Sequence, residues 1–163
     1  MKKVKLMMIT LMVCLVGMSY GQKDTAKLYV ATSLQLYAGD GEFKSTTLPA
    51  IEVGIRVKDV KLVGVFGRNN FNSTQNEVFD NYWFEVKFIS SYKLYKNLYI
   101  YGLFGAGKYI GYDIVFLDFG GGLTMNFNKI ELSIQVNDRW HNRTNNYNSK
   151  GFVYIAPIIG YTF

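Results

Sequence analysis

Residues 129–140 read Lys129-Ile130-Glu131-Leu132-Ser133-Ile134-Gln135-Val136-Asn137-Asp138-Arg139-Trp140. Ile130, Leu132, Ile134 and Val136 occupy every second position, with Glu131, Ser133, Gln135, Asn137 and Arg139 alternating with them or following in the same phase. A helix would scatter both sets around its axis, whereas an extended strand sends them to opposite faces. One greasy face and one ionic face make this strand part of a wall between two unlike environments.

The same alternation recurs on both sides of this stretch. Eight strands are predicted, over about 27–38, 47–58, 60–69, 82–94, 98–108, 115–126, 129–140 and 151–163. Each is close to the ~9–11 residues that a tilted strand needs to cross a bilayer. The second sets Ile51, Val53, Ile55 and Val57 against Ala50, Glu52, Gly54 and Arg56. The fourth sets Tyr82, Phe84, Val86 and Phe88 against Trp83, Glu85, Lys87 and Ile89. The sixth sets Phe119, Gly121, Leu123 and Met125 against Asp118, Gly120, Gly122 and Thr124. Over 60–69, Leu62 and Phe66 are assigned to the greasy side. Both faces of 98–108 are apolar or glycine, so its facing stays open.

Connections alternate in length. Tight turns are expected at Asp59, at 95–97 and at 127–128, with longer polar loops at 39–46, 70–81 and 141–150 and a shorter one at 109–114. Short turns at one end and long loops at the other are the asymmetry of an outer-membrane barrel. Alternation alone cannot distinguish a soluble barrel, greasy inside, from a membrane barrel, greasy outside. Two features favour the membrane. Small residues accompany the charges on the polar face, as a narrow eight-strand lumen requires. Aromatics gather near strand ends: Tyr37, Tyr82, Trp140 and Phe152 at one end, Tyr92, Phe127, Tyr161 and Phe163 at the other, as two interfacial belts would.

The last strand carries Val153, Ile155, Pro157, Ile159, Tyr161 and Phe163 at strict two-residue spacing. This resembles the carboxyl-terminal assembly signal of bacterial outer-membrane proteins. The resemblance implies that Tyr161 and Phe163 are read by the barrel-insertion machinery. Pro157 departs from a regular strand and is expected to mark a bulge. As a whole the chain is similar in architecture to small outer-membrane proteins X and to the transmembrane domain of outer-membrane protein A. The fold expected is all-β: an eight-stranded antiparallel up-and-down transmembrane β-barrel, preceded by a cleaved helical signal peptide, in the outer membrane of a Gram-negative-type bacterium.

The first 21 residues support export. Lys2, Lys3 and Lys5 precede an apolar run over 6–17, and Ser19-Tyr20-Gly21 offers small residues for cleavage before Gln22. The domains expected are therefore a signal peptide over 1–21 and a barrel over 22–163. The single cysteine, Cys14, lies inside the signal, and Val13 before it is too large for a lipoprotein signal. Disulfides and cysteine metal sites are excluded from the remainder. The chain carries 18 Lys and Arg against 12 Asp and Glu, and three of those lysines belong to the signal. The small remaining excess has no basic stripe or recognition helix with it, so nucleic acid is not a partner. Composition agrees with a barrel: 13 Tyr, 12 Phe and 16 Gly but only 2 Pro.

On the polar face stand Glu52, Arg56, Glu85, Lys87, Asp118, Glu131 and Arg139. Strand direction places Arg56 and Glu131 near the periplasmic end, Glu52 and Lys87 at middle depth, and Asp118, Glu85 and Arg139 near the outer end. Pairing in a charge network across the lumen is expected, because an unpaired buried ion costs several kcal/mol. A lumen filled this way argues against a general porin, whose water channel needs roughly 16 strands.

Two patterns suggest chemistry. Gly102-Leu103-Phe104-Gly105-Ala106-Gly107-Lys108 imitates a phosphate-binding loop. Tyr109 stands where that loop has Ser or Thr, and no helix follows to aim its amino terminus at a phosphate. These glycines suit a crowded barrel strand. His141 is the only histidine and ends the seventh strand at the outer rim. Lipid A deacylases are eight-stranded outer-membrane barrels with a catalytic His and Ser late in the chain, and His141 is similarly placed. That family has Ser two residues after the His, where this chain has Arg143 followed by Thr144. The alternative function that this resemblance implies is lipid A hydrolysis by His141, with Thr144 or Ser149 as nucleophile.

The first expectation is a non-enzymatic barrel with an envelope-structural or surface-interaction role, needing no cofactor and no metal. Its partners would be outer-membrane lipid and lipopolysaccharide, the insertion machinery, and an extracellular protein or glycan held at the loops by Phe71, Phe79, Trp140 and Tyr147.

Overall fold

A computed structural model describes residues 25–37, 46–72, 78–110, 114–142 and 151–163. The predicted signal peptide, most of the loops, and Thr144, Tyr147 and Ser149 lie outside the described residues. Eight strands follow in order: β1 (Lys27–Tyr37), β2 (Thr46–Val57), β3 (Val60–Asn72), β4 (Val78–Tyr95), β5 (Leu98–Tyr109), β6 (Val115–Phe127), β7 (Ile130–Asn142) and β8 (Gly151–Thr162). Each pairs antiparallel with its chain neighbours, and β8 closes on β1 in a barrel. The peptide N–H of Phe163 completes the seam by donating to the carbonyl of Leu28 at 3.0 Å.

The alternation resolves into an outside and an inside. Ile130, Leu132, Ile134 and Val136 of β7 face outward with about half their surface open, while Glu131, Gln135, Asn137 and Arg139 are buried. The same division holds on β2, β4, β6 and β8. A continuous apolar exterior of this extent is insoluble in water and suits lipid. On β3, Phe66 faces outward as expected. On β5, whose facing the sequence left open, Ile100 and Phe104 point out while Tyr101, Leu103 and Tyr109 point in.

Three two-residue turns join β2 to β3, β4 to β5 and β6 to β7, at the same end as the start of β1 and the end of β8. Their first residues, Lys58, Lys96 and Asn128, have φ of 51°, 38° and 59°. At the opposite end the strands run further than expected. β3 reaches Asn72 and β4 begins at Val78, so much of the segment 70–81 is strand rather than loop. At 18 residues, β4 exceeds what a membrane crossing needs.

Two expectations need correction. Tyr37 and Phe152 do not join the outer aromatic belt: Tyr37 is buried inside the barrel, and Phe152 packs against an interior cluster of Tyr37, Leu48, Tyr154 and Ala156. Strand parity decides this, because Tyr37 shares its face with the inward Ser33 and Gln35. Pro157 makes no bulge either. The β1–β8 pairs Ser33↔Ile158 and Leu36↔Ile155 keep one register across it. The observed irregularity lies at Lys93/Tyr95 of β4.

Candidate functional site

The interior is layered. Nearest the turns, Glu131 gathers four donors. Arg56 Nη1 reaches its Oε2 at 3.3 Å, Tyr29 Oη its Oε1 at 3.3 Å and Ser133 Oγ its Oε1 at 3.2 Å. Lys61 Nζ donates to the same carboxylate and also lies 4.5 Å from the centre of the Tyr29 ring. Arg56 and Glu131 come from β2 and β7, which are far apart in sequence and meet only across a closed barrel.

Lys87 occupies the middle. Its Nζ lies 3.9 Å from Glu52 and 3.8 Å from Glu85. These distances are too long for direct hydrogen bonds, so the attraction is chiefly coulombic, strengthened by the low dielectric of a buried site.

The outer layer is tightest. Arg139 Nε and Nη2 donate to Asp118 Oδ1 and Oδ2 at 2.7 and 2.8 Å, and Nη2 also donates to Glu85 at 3.2 Å. Tyr154 Oη donates to Asp118 at 2.5 Å and accepts from Asn137 Nδ2 at 2.6 Å. The guanidinium lies 4.1 Å from the Phe116 ring centre, 4.6 Å from Trp83 and 5.2 Å from Tyr154. Its charge is thus satisfied by two carboxylates in one direction and by aromatic faces in the others. Above it, His141 points inward and is nearly buried. Its Nε2 lies 2.9 Å from Tyr109 Oη, and its ring stacks on Tyr109 and meets Phe152 edge-on.

The structure therefore brings Arg56 to Glu131, Lys87 to Glu52 and Glu85, and Arg139 to Asp118 and Glu85. Sequence reasoning missed Lys61, whose inner-face neighbours on β3 are apolar or glycine. With it, four bases face four acids among the described lumen residues. Trp83 falls on the inner row already read from β4, but the rest of the aromatic plug was missed. Trp83, Phe116, Tyr29 and Tyr154 are each nearly or fully buried. Their signal was present, since each stands two residues from a position of the same face.

Small residues leave room for this filling. A Cβ on Gly67 would stand 2.5 Å from the Trp83 ring, and one on Gly107 would stand 2.3 Å from the Phe116 ring.

Solved structures similar to this chain include outer-membrane barrels. The chain is similar to the N-terminal β-barrel domain of Pseudomonas aeruginosa OprF, with a TM-score of 0.65 and 15% identity, covering 87% of this chain and 100% of that one. It is similar to Neisserial surface protein A, with a TM-score of 0.61 and 11% identity over 85% and 97% of the two chains. Ail of Yersinia pestis, crystallised with the heparin analogue sucrose octasulfate, gives 0.50 and 15% identity over 87% and 100%. The sequence matches no protein-family model and no curated protein. At these identities the shared property is the fold, that of the small outer-membrane barrels. Lipid-facing apolar residues surround a polar interior, the arrangement of an outer-membrane barrel.

Proposed function

We propose that this protein is a non-enzymatic barrel whose lumen is closed to solutes and whose role, envelope-structural or surface-interacting, is exerted through the segments it presents outside the cell. The observation that carries this reading is the outer layer of the lumen. Arg139, Asp118, Glu85, Trp83 and Phe116 fill the cross-section with scarcely any exposed surface, leaving a post of side chains where a channel would run.

The disposition of His141 supports the same reading. A lipid hydrolase needs its base beside a nucleophile and open to the bilayer. Here the imidazole turns inward among Tyr109, Phe116 and Phe152 and engages a tyrosine hydroxyl. The β3–β4 pairing, which runs on to Asn72 and Val78, lengthens the wall on the outer side, where an extracellular protein or glycan would dock. Ail was crystallised with a sulfated sugar, which makes sulfated glycans a natural first probe.

The test uses cells displaying the full-length protein and a version with residues 73–77 and 143–150 replaced by short Gly-Ser turns. Adhesion to immobilised glycans and host matrix proteins should fall with the loops removed, while the barrel still folds. Fatty acid released from lipopolysaccharide by the wild type but not by His141→Ala would overturn the reading in favour of hydrolysis. Stable conductance steps in planar bilayers would overturn the closed lumen.

A further inference from the structure

The chain's two prolines flank a single residue. Leu34 pairs with Pro49 in the β1–β2 register. In the unbroken β1–β8 register Pro157 stands opposite the same Leu34, where the paired positions lapse between Ser33↔Ile158 and Leu36↔Ile155. Proline has no N–H to give to a ladder. Beyond Pro49 the wall also parts on its other side. The β2–β3 ladder ends at Ala50↔Gly67, while β2 stays paired with β1 to Thr46 and β3 stays paired with β4 to Asn72.

An open groove of about 600 Å³ lies on the lipid-facing wall at this place. Following the strands round the barrel, Ile159 borders one flank, Leu34 and Pro49 cross the middle, and Phe66 and Tyr82 border the other. The Phe66 and Tyr82 rings stack at 5.5 Å and 12°, giving that flank a flat apolar face. Arg68 pairs with Tyr82 at the outer end of the groove, at the depth of the outer aromatic belt.

The lining is aliphatic and aromatic, with one cationic residue, Arg68, beside Tyr82 at its edge. An apolar slot with one cation at its edge suits a lipid that carries a phosphate. An arginine on the lipid side of a barrel is tolerated near the interface and binds phosphate bidentately. On the orientation proposed above, with the long loops outside the cell, this end faces the outer leaflet, whose phosphorylated lipid is lipopolysaccharide. We propose that this groove seats one acyl chain of a lipopolysaccharide molecule, with Arg68 on a phosphate of its lipid A.

The experiment is native mass spectrometry of full-length barrel refolded with equal amounts of deep-rough lipopolysaccharide and phosphatidylglycerol, then exchanged into detergent. The wild type should retain one lipopolysaccharide. Arg68→Gln, which removes the phosphate contact, and Thr32→Trp, which fills the groove, should each lower retention about tenfold. Ile134→Trp, on the lipid face of β7 away from the groove, should leave it unchanged. Heat-dependent gel mobility verifies folding, and if Thr32→Trp does not fold, Arg68→Gln decides alone. Unchanged retention in the folded groove variants would overturn the proposal, as would an equal loss in Ile134→Trp. Retention of phosphatidylglycerol as strongly as of lipopolysaccharide would also overturn it, as would equal retention of dephosphorylated lipid A in a parallel refolding.

Discussion

Asp118 and Arg139 stand directly opposite each other in the β6–β7 ladder and share two hydrogen bonds of 2.7 and 2.8 Å. Cross-strand pairing fixes their backbones, so little side-chain entropy is lost in joining them. Because both groups are fully buried, neither can turn to water when its partner is removed. Arg139→Leu leaves Asp118 and Glu85 with Lys87 as their remaining nearby cation, and it should lower unfolding stability by about 3–5 kcal/mol. The double variant Asp118→Leu/Arg139→Leu removes one charge of each sign and should be less destabilised than Arg139→Leu alone. Urea titration of the refolded barrel in lipid vesicles measures both. Equal losses would mean that lost packing, rather than an uncompensated charge, sets the cost.

The phosphate-loop mimic on β5 supplies a second prediction, because its glycines face opposite ways. A Cβ at Gly107 would meet the Phe116 ring at 2.3 Å and the Phe84 carbonyl oxygen at 2.5 Å. The ring could turn aside, but the backbone oxygen cannot. Gly107→Ala should destabilise by about 1–3 kcal/mol, as overpacking does. Gly102 faces the lipid, and nothing lies within 4 Å of its added Cβ. Gly102→Ala should be neutral or add about 0.4–1 kcal/mol, because alanine restricts the unfolded chain. The same unfolding assay separates them, and equal effects would mean that the direction each glycine faces does not set its cost.

How far the fold could be read from sequence followed the chemical contrast between its two faces. On β7, β2 and β4 the inner row carries ions, so alternation assigns every side chain, including the parity that sends His141 inward with Arg139. On β5 the barrel is filled by Tyr101 and Leu103 opposite the lipid-facing Ile100 and Phe104. Both rows are apolar there, and the signal vanishes. Lys61 was hidden for a related reason, since its inner-face neighbours on β3, Val63, Val65 and Gly67, resemble a lipid-facing row. An aromatic at a strand end is equally consistent with an interfacial belt and a lumen plug. Tyr37 and Phe152 went to the plug, while Tyr82 and Trp140 remained outside. Pro157 alone stands out in the sequence as a departure from a regular strand, and only the closed barrel shows that Pro49 and Pro157 bracket Leu34.

The short turns yield a third prediction. Lys58 and Lys96 adopt left-handed backbone at φ of 51° and 38°. For a residue with a Cβ that region costs roughly 1–2 kcal/mol, an expense glycine avoids at some loss of unfolded-state restriction. Lys58→Gly and Lys96→Gly should each stabilise by about 0.5–1 kcal/mol. Asn128, at 59°, should gain less from the same change because asparagine tolerates this region. The bond from Arg56 Nε to the carbonyl of Lys58 involves only main chain at that position and should survive. Hydrogen exchange at the turn amides would show whether the gain is local.

Phe163 allows the assembly reading to be separated from ordinary packing. Its side chain faces lipid with 60% of its surface open, and its ring meets Tyr161 edge-on at 4.8 Å. The seam itself is closed by the Phe163 peptide N–H, which an alanine would keep. Phe163→Ala should therefore cost the folded barrel only on the order of 1 kcal/mol, the worth of one aromatic pair. If the ring is what the insertion machinery recognises, the variant should refold nearly normally in detergent yet reach the outer membrane of expressing cells at a small fraction of the wild-type level. Tyr161→Ala, which removes the other ring of the pair, should show the same split. Outer-membrane levels that fell only in proportion to the loss measured in vitro would make the last strand a structural element with no separate role as a signal.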